Sequence, residues 1–186
     1  DLQWDHSAGV NYEFMGNLDF VIKINSWLSF SSVNNYRYLN GASSGYTDPR
    51  SNGGLSVNGR ITDYRSEVAR RYTNQMLTVN KSWGKHVLYA IGGYEFNDYW
   101  SKTLDVYGTG FVPGFEILDV VAKPQRTKGG ISEWAVQSLI SKANYTYDNR
   151  YLVEASLRRD GASNFGDNAK YGNFFSISGG WNIKNE

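Results

Sequence analysis

The stretch that most constrains the fold is 151–183, where two alternating segments flank a polar, glycine-punctuated loop. In the first segment, Tyr151, Val153, Ala155 and Leu157 alternate with Leu152, Glu154, Ser156 and Arg158. In the second, Phe175, Ile177, Gly179 and Trp181 alternate with Phe174, Ser176, Ser178 and Gly180. A period of two residues is that of a β-strand. The stretch therefore predicts two strands joined by a loop over 159–173, each strand with one apolar side.

Two kinds of all-β fold place such strands differently. In a soluble sandwich the apolar side forms the core, and in an outer-membrane barrel it contacts lipid while the polar side lines the lumen. The mean hydropathy of the 186 residues is −0.52, yet 16% of them are aromatic, including 14 Tyr and 6 Trp. Barrel strands need an apolar residue only at every second position, and Tyr and Trp are enriched at membrane interfaces.

Composition excludes several classes of function. There is no cysteine, which excludes disulfides, thiol chemistry and cysteine-ligated metals. The net charge of +1 gives no bias toward nucleic acid. No run of about 20 apolar residues predicts a transmembrane helix. The chain starts in mid-pattern and stops directly after a predicted strand, so we expect it to be an internal piece of a longer protein.

The remaining chain predicts five more strands, which makes seven. They cover 7–15, 18–30, 71–82, 86–96 and 138–147, with a tight reversal at Met15-Gly16-Asn17 and long polar segments over 34–64 and 97–132. Short and long connections thus alternate, as in barrels with short periplasmic turns and long extracellular loops. Charged residues on one side of the strands would line a lumen, or be solvated on a sandwich: Lys23, Glu95, Lys142, Glu154 and Arg158.

The run 145–181 resembles the barrel of SusC/RagA-type TonB-dependent outer-membrane transporters. The matching residues are Tyr151, Ala155, Ser156, Leu157, Arg158, Asp160, Gly161, Ser163, Phe165, Gly166, Tyr171, Gly172, Phe174, Ser176, Ser178, Gly180 and Trp181. A second match begins at Trp83-Gly84-Lys85-His86 and ends at Gly93-Tyr94-Glu95. The chain departs from the family pattern at Ala162, Asn164 and Phe175.

The resemblance implies an all-β, antiparallel transmembrane β-barrel in the bacterial outer membrane, of which residues 1–186 form part of one domain. Its seven strands would belong to a barrel of about 22 strands, with the plug domain elsewhere. The implied activity is TonB-dependent import of oligosaccharides or peptides, with a SusD-like surface lipoprotein and TonB as partners, membrane lipid around the wall, and no cofactor. A soluble, secreted carbohydrate-binding module and a passive porin are the alternatives.

Aromatic residues in or beside the long predicted loops are the candidates for substrate contact, since aromatic rings stack on sugars and peptide side chains. They are Tyr36, Tyr38, Tyr46, Tyr99, Trp100, Tyr107 and Trp134. The alternative is that these rings pack the loops together or form a membrane girdle. The family-motif residues with a predicted structural role are Arg158, Asp160, Gly161, Ser163, Phe165, Gly166, Tyr171, Gly172 and Trp181.

No motif predicts catalysis or a metal site. There is no GxSxG, P-loop or dinucleotide fingerprint, and the two histidines, His6 and His86, lack metal-ligand spacing. The oxygen-rich segment from Asp160 to Asn168 lacks the acidic spacing of a calcium loop. It predicts a turn capped by the side chains of Asp160 and Asn164, with positive φ at Gly161 and Gly166.

Overall fold

The computed structural model describes residues 4–166 and 170–185. Seven strands form one antiparallel sheet whose order follows the chain, which confirms the predicted all-β class. The strands are β1 (His6–Lys23), β2 (Leu28–Thr47), β3 (Arg60–Trp83), β4 (His86–Thr109), β5 (Lys123–Tyr147), β6 (Tyr151–Ala162) and β7 (Tyr171–Trp181). Short 3₁₀ turns occur at Leu55–Val57, Leu118–Val120 and Ile183–Asn185. Within the described residues, no helix is long and apolar enough to cross a membrane.

The register of the last three strands confirms the two predicted sides. Ala155 lies opposite Ala143 on β5 and Ile177 on β7, while Ser156 lies opposite Lys142 and Ser176. Opposed residues point to the same side of a sheet. We call the side of β3–β7 that carries Ala155 and Ile177 the apolar face, and the side that carries Ser156 the polar face.

Local chemistry explains the short turns. The Asn25 side-chain oxygen accepts hydrogen bonds from the backbone N–H groups of Trp27 and Leu28, both at 2.9 Å. Asp148 and Asn149 have φ values of 50° and 53°, the left-handed backbone that two-residue hairpin turns favour. The Lys85 ammonium donates to the Asp148 carboxylate at 2.8 Å, and this ties the β3–β4 turn to the β5–β6 turn.

The predicted reversal at Met15-Gly16-Asn17 is wrong. β1 runs unbroken through it, and the chain reverses at residues 24–27 instead. Gly and Asn are common in turns, but here the Asn35 amide donates to the Asn17 side-chain oxygen at 2.7 Å across the β1–β2 pair. The first two predicted strands therefore belong largely to β1, and β2 occupies much of a predicted loop. The two errors offset each other, so the count of seven is unchanged.

The alternation of short and long connections is confirmed. Short turns lie at 24–27, 84–85 and 148–150, and longer connections lie at 48–59, at 110–122 and between the end of β6 and the start of β7. The longer connections are shorter than predicted, because β2 to β6 continue well into segments whose polar sequence shows no period of two. Asn58, Gly59, Gly110 and Gly114 supply the positive φ values of the longer connections.

The chain divides into two units. The loop unit comprises Arg37–Ala69, Trp100–Glu133 and β1 as far as Met15, and the turn unit comprises Gly16–Tyr36, Arg70–Tyr99 and the chain from Trp134 onward. The loop unit contains a small core of Tyr46, Ile61 and Phe111, flanked by Leu118, Val120 and Val121. The side chains of Tyr46, Ile61 and Phe111 are buried, with 7%, 4% and 4% of their surface exposed.

A charged clamp anchors the 48–59 connection of the loop unit beside this core. The Asp48 carboxylate accepts hydrogen bonds from the Arg50 guanidinium at 2.8 and 2.9 Å and from the Tyr46 hydroxyl at 3.2 Å. The backbone N–H of Asp48 donates to the Asp5 carboxylate at 2.8 Å. The Arg50 guanidinium holds the pKa of Asp48 well below its usual range.

Candidate functional site

The polar face of the turn unit carries a hydrogen-bonded network across four strands. The Arg158 guanidinium donates to Asp160 at 2.7 Å and to the buried Ser138 hydroxyl at 3.1 Å, and it lies 3.8 Å from Glu95. Glu95 also accepts hydrogen bonds from the Tyr72 hydroxyl at 3.0 Å and from Asn74 at 3.2 Å. Each carboxylate has donors, so the face is polar without isolated charges here.

A stacked array lies on the same unit. The rings of Tyr99 and Trp134 stack with centroids 5.9 Å apart and planes 15° apart. The Arg70 guanidinium lies 5.1 Å from the centroid of the Tyr99 ring. This array joins β3, β4 and β5, and the Tyr99 ring contacts both an indole and a cation. Such a surface contacts both flat apolar and polar groups.

Aromatic side chains collect on the apolar face next to the short turns. Trp83 stacks on His86 at 5.3 Å, and His86 contacts the rings of Tyr145 and Tyr147. The register then continues the row through two further strands. We call this row the short-turn belt, consisting of Trp83, His86, Tyr145, Tyr147, Tyr151 and Trp181. Tyr and Trp rings of this kind are typical of the interface between a bilayer and water.

A second row crosses the apolar face toward the other end of the strands. The Gln137 amide donates to the Tyr171 hydroxyl at 2.7 Å and accepts from the Tyr94 hydroxyl at 3.3 Å. The Arg159 guanidinium lies 4.7 Å from the centroid of the Tyr171 ring. We call this row the loop-side belt, consisting of Tyr94, Gln137, Arg159 and Tyr171.

The surface between the two belts is apolar and uncovered. On β6 it carries Val153, Ala155 and Leu157, and on β7 Phe175 and Ile177 are 83% and 78% exposed. From belt to belt, β6 runs from Tyr151 to Arg159 and β7 from Trp181 to Tyr171. A tilted strand needs about 9–11 residues to cross the hydrocarbon layer of a membrane. The belts therefore bracket one membrane thickness.

The oxygen-rich segment that begins at Asp160 is held in part by an ion pair with Arg158. Asp160 lies inside β6, and both its carboxylate oxygens accept hydrogen bonds from Arg158, at 2.7 and 2.9 Å. Asp167 and Asn168 lie outside the described residues. In the described part of the chain, no group of three or more His, Asp or Glu side chains is arranged to hold a metal ion.

Known proteins similar to this chain are TonB-dependent receptors and RagA barrels. No family model matches. The chain is 29% identical over 136 residues to TonB-dependent receptor P3 of Formosa agariphila, covering 72% of the chain and 14% of the relative. It is 26% identical over 174 residues to receptor P39 of the same organism, covering 89% of the chain and 16% of the relative.

Two solved structures have the same fold as the chain. The RagAB peptide transporter aligns with a TM-score of 0.84 at 19% identity, over 99% of this chain and 21% of that one. The RagAB peptide importer in its closed-closed state gives 0.84 at 20% identity, over 99% and 21%. The chain is similar in sequence to TonB-dependent receptors and has the fold of part of the RagAB transporter barrel. It spans about one-seventh of the length of the curated relatives.

The structure gives physical roles to the SusC/RagA motif residues on β6 and β7. Gly161 and Gly166 are not among the positive-φ residues, so the predicted role for them is wrong. Instead, a Cβ on Gly161 would lie 2.5 Å from the Tyr171 ring, which covers that position. A Cβ on Gly172 would lie 3.1 Å from the Phe174 ring. Glycine at 161 and 172 thus lets an aromatic ring lie against the sheet.

Three other motif residues, Ser163, Trp181 and Phe165, have different positions in or beside the sheet. Ser163 exchanges two hydrogen bonds of 2.8 Å with the Ala135 backbone, one through its N–H and one through its hydroxyl oxygen. Trp181 lies opposite Tyr151 in the short-turn belt. Phe165 is exposed, and its backbone N–H donates to Ala162 at 3.4 Å.

The aromatic residues predicted to contact substrate occupy different places. Tyr46 is buried in the loop-unit core, where its ring stacks on His6, and the Tyr38 hydroxyl donates to Glu67 at 3.4 Å. The Tyr107 ring lies beneath Arg60, and Trp100 is half-buried in β4. Tyr36 lines a groove with Arg71. Tyr99 and Trp134 are the members of this set that the structure stacks together.

Sequence reasoning missed the two belts and the network partners Tyr72, Asn74 and Ser138. Strands of period two place every second residue on one face, so the belts follow once the strand register is known. The network depends on the pairing of β3 with β4, β4 with β5 and β5 with β6, because its members lie on these four strands. One sequence feature could have predicted the short-turn belt: Trp, His and Tyr residues are concentrated next to the short turns.

Proposed function

We propose that this chain is part of the wall of an outer-membrane barrel that imports a large nutrient in a TonB-dependent manner. The observation that supports this most is the apolar face between two aromatic belts, on a sheet whose other face is a polar network. In water such a face would be a large unpartnered apolar surface. In a bilayer it is the lipid-facing wall, and the polar face lines the lumen.

The loop unit is proposed to face the medium outside the cell. Its longer connections expose several large apolar side chains although the unit has its own core: Leu55, Val112, Phe115 and Ile117. Exposed apolar residues on ordered loops are typical of protein–protein contact. They support the proposal that a SusD-like surface lipoprotein docks on this unit, while TonB acts on parts of the transporter outside this chain.

The substrate is proposed to be an oligosaccharide or a peptide that passes along the polar face. Trp134, stacked on Tyr99 beside Arg70, offers an indole to a sugar ring or to a peptide side chain. The two solved structures of the same fold are a peptide transporter and a peptide importer. At 19–20% identity, this chain resembles them in fold alone.

Membrane extraction tests the location. The full-length protein should remain with outer-membrane fractions through washes in carbonate and urea, and leave them only in detergent. Recovery of the native protein in aqueous buffer without detergent would contradict the barrel and favour a soluble carbohydrate-binding module.

Growth and uptake assays test transport. Deleting the gene should abolish growth of its host on either oligosaccharides or peptides as sole carbon source, and deleting TonB should have the same effect. Uptake that persists without TonB would instead indicate a passive porin. In the full-length protein, Trp134→Ala should lower uptake by about three- to tenfold, the worth of one aromatic contact. Trp83→Phe, in the short-turn belt, is the matched control and should leave uptake unchanged.

A further inference from the structure

We propose that His6 and Glu116 form a pH-sensitive latch that holds residues 112–117 against the core of the loop unit. We call residues 112–117 the latched segment. The latch is closed when both nitrogen atoms of the His6 ring carry a proton, and it opens when one proton is lost. The inference goes beyond the proposed function and does not depend on it, because the contacts of the latch lie within the loop unit.

The latched segment is an exposed stretch between two apolar anchors. Phe111 is buried in the loop-unit core directly before the segment, and Leu118 packs against the same core directly after it. Between these anchors the residues are exposed, and the Phe115 side chain is exposed to 56%. Burial therefore fixes the two ends of the segment, whereas the position of its middle depends on polar contacts.

Polar contacts join the middle of the segment to the surface of the core. The Glu116 carboxylate lies 3.0 Å from Nε2 of His6. The backbone N–H of Gly114 donates to the Tyr46 hydroxyl at 3.4 Å, which is longer than a usual hydrogen bond. The contact of Glu116 is shorter and involves a carboxylate, so it is the stronger of these contacts when His6 is charged.

The surroundings of the His6 ring suit its charged form. Nε2 faces the Glu116 carboxylate at 3.0 Å, and Nδ1 faces the backbone carbonyl of Trp4 at 3.4 Å. An ionised carboxylate and a carbonyl can only accept hydrogen bonds. A neutral imidazole has one N–H, so one of its nitrogen atoms would present a lone pair to an oxygen. The imidazolium ion has two N–H groups and donates to both oxygens.

The core holds the His6 ring in place beside the segment. The ring stacks on Tyr46 with centroids 5.0 Å apart and planes 28° apart, and Tyr46 in turn contacts the Phe111 ring at 5.4 Å. An aromatic face attracts a cation, so this stack also favours the imidazolium ion. The protonation of His6 therefore decides whether Glu116 is attracted to an anchored ring.

The charged groups that face His6 favour its protonation. Glu116 faces it from the 110–122 connection, and Asp5 precedes it in the chain. On the side of the 48–59 connection, the charge of Asp48 is compensated by its ion pair with Arg50. The hydrogen bond with Glu116 is the main cause that raises the pKa of His6 above its ordinary value of 6.5, while loss of hydration acts in the opposite direction.

The pH range of the latch follows from the direction of this change. With the segment open, His6 titrates near its ordinary pKa, and with the latch closed its pKa is higher. A raised pKa adds stability that is complete below the ordinary value and is lost as the pH rises through the higher one. The latch should therefore be closed at pH 5.5 and weakened at pH 8.5.

Spin labelling of the full-length protein tests the latch. A nitroxide label on Phe115→Cys reports the motion of the latched segment and does not titrate itself. The ratio of mobile to immobile label should rise about two- to fivefold between pH 5.5 and pH 8.5, the range expected for a solvent-exposed ion pair. The same ratio at both pH values would overturn the proposal.

Substitutions in the labelled protein assign the response to the pair. His6→Gln, which cannot become charged, should leave the segment mobile at both pH values, and His6→Arg, which is always charged, should keep it immobile at both. Glu116→Gln should abolish the response. Asp119→Asn is the matched control, because it removes another exposed carboxylate from the same connection and leaves the pair intact. A pH response that persists in His6→Gln or Glu116→Gln would contradict the latch.

Salt provides a test that needs no change in the pair itself. About 1 M salt, at which the screening length is about 3 Å, should increase label mobility at pH 5.5 and have little effect at pH 8.5, where His6 is neutral. The Asp48–Arg50 pair is charged at both pH values, so its screening cancels in this comparison. Equal salt effects at the two pH values would overturn the latch. They would leave the proposed function standing, since membrane extraction and uptake test that separately.

Discussion

In the loop unit, Tyr46, Ile61 and Phe111 pack against one another and are almost inaccessible to solvent, whereas in the turn unit Phe175 and Ile177 are 83% and 78% exposed. Strands β1 to β5 contribute to both units. The loop unit has a buried core, as a protein in water does, although its longer connections also expose Leu55, Val112, Phe115 and Ile117. The turn unit presents its apolar side chains between two belts. The contrast teaches that the two parts of these strands are suited to different solvents, water and lipid.

The largest expected effect concerns the loop-unit core. Phe111→Ala should destabilise the loop unit by about 3–5 kcal/mol, because it removes a buried ring and leaves a cavity. Hydrogen exchange of the connections 48–59 and 110–122 should rise sharply. Phe175→Ala is the control on the apolar face, where loss of a ring leaves no cavity, and it should leave exchange in the loop unit unchanged. Similar exchange in both variants would remove the distinction between the units.

The next effect tests which face of β6 meets lipid. Ala155→Arg should impair membrane insertion by about 2–4 kcal/mol, the cost of a lipid-facing Arg near the bilayer midplane. Ser156→Arg, one residue away on the polar face, should insert almost normally. Heat-modifiable mobility and the folded fraction in urea titrations of the full-length protein would measure this. Equal assembly of the two variants would show that the faces are reversed.

A smaller effect is expected from the polar network. Arg158→Gln should destabilise the barrel wall by about 1 kcal/mol, because Asp160 and Glu95 lose a charged donor while the site remains partly solvated. Arg159→Gln alters the neighbouring residue on the other face and removes only a cation–π contact. Its expected cost is about 0.5 kcal/mol. Urea midpoints that rank the two variants in the opposite order would contradict the role assigned to the network.

The smallest effect is a pH dependence confined to the loop unit. The Arg50 guanidinium depresses the pKa of Asp48 in the folded state, so the clamp adds stability above the unfolded-state pKa of about 4 and loses it as the pH falls below that value. The opening of 48–59, measured as amide exchange relative to the intrinsic exchange rate at each pH, should therefore increase between pH 7 and pH 3. In Asp48→Asn, which cannot titrate, this increase should be reduced. An unchanged pH response in that variant would assign the effect to another group.

The sequence predicted the alternating faces of β6 and β7 well, since a period of two residues fixes which side chains share a side. It predicted the first hairpin poorly. Gly16 and Asn17 have the composition of a turn, and nothing local shows that β2 pairs alongside them. The sequence also predicted β2 to β5 too short. The halves of these strands in the loop unit are polar on both sides, so they lack the two-residue alternation of apolar and polar residues that predicts a strand.

For the candidate site, the sequence identified Tyr99 and Trp134 as aromatic residues of interest but did not place them together. Their stacking depends on the β4–β5 register, which is set by pairing along the whole hairpin. Likewise, the sequence placed Arg158 among the charged residues on one side of the strands. The contacts of the Arg158 guanidinium with Asp160, Ser138 and Glu95 depend on how three neighbouring strands are aligned, and the sequence does not show that alignment.

By itself, the sequence determined the all-β class, the apolar and polar sides of the last two strands, and the alternation of short and long connections. These properties are local, because they follow from side-chain period and turn chemistry within a few residues. The tertiary structure decided where β1 ends, that Gly161 makes room for the Tyr171 ring, and that the polar network joins residues of four strands. Those properties depend on which residues of neighbouring strands stand opposite one another, and long-range pairing sets that register.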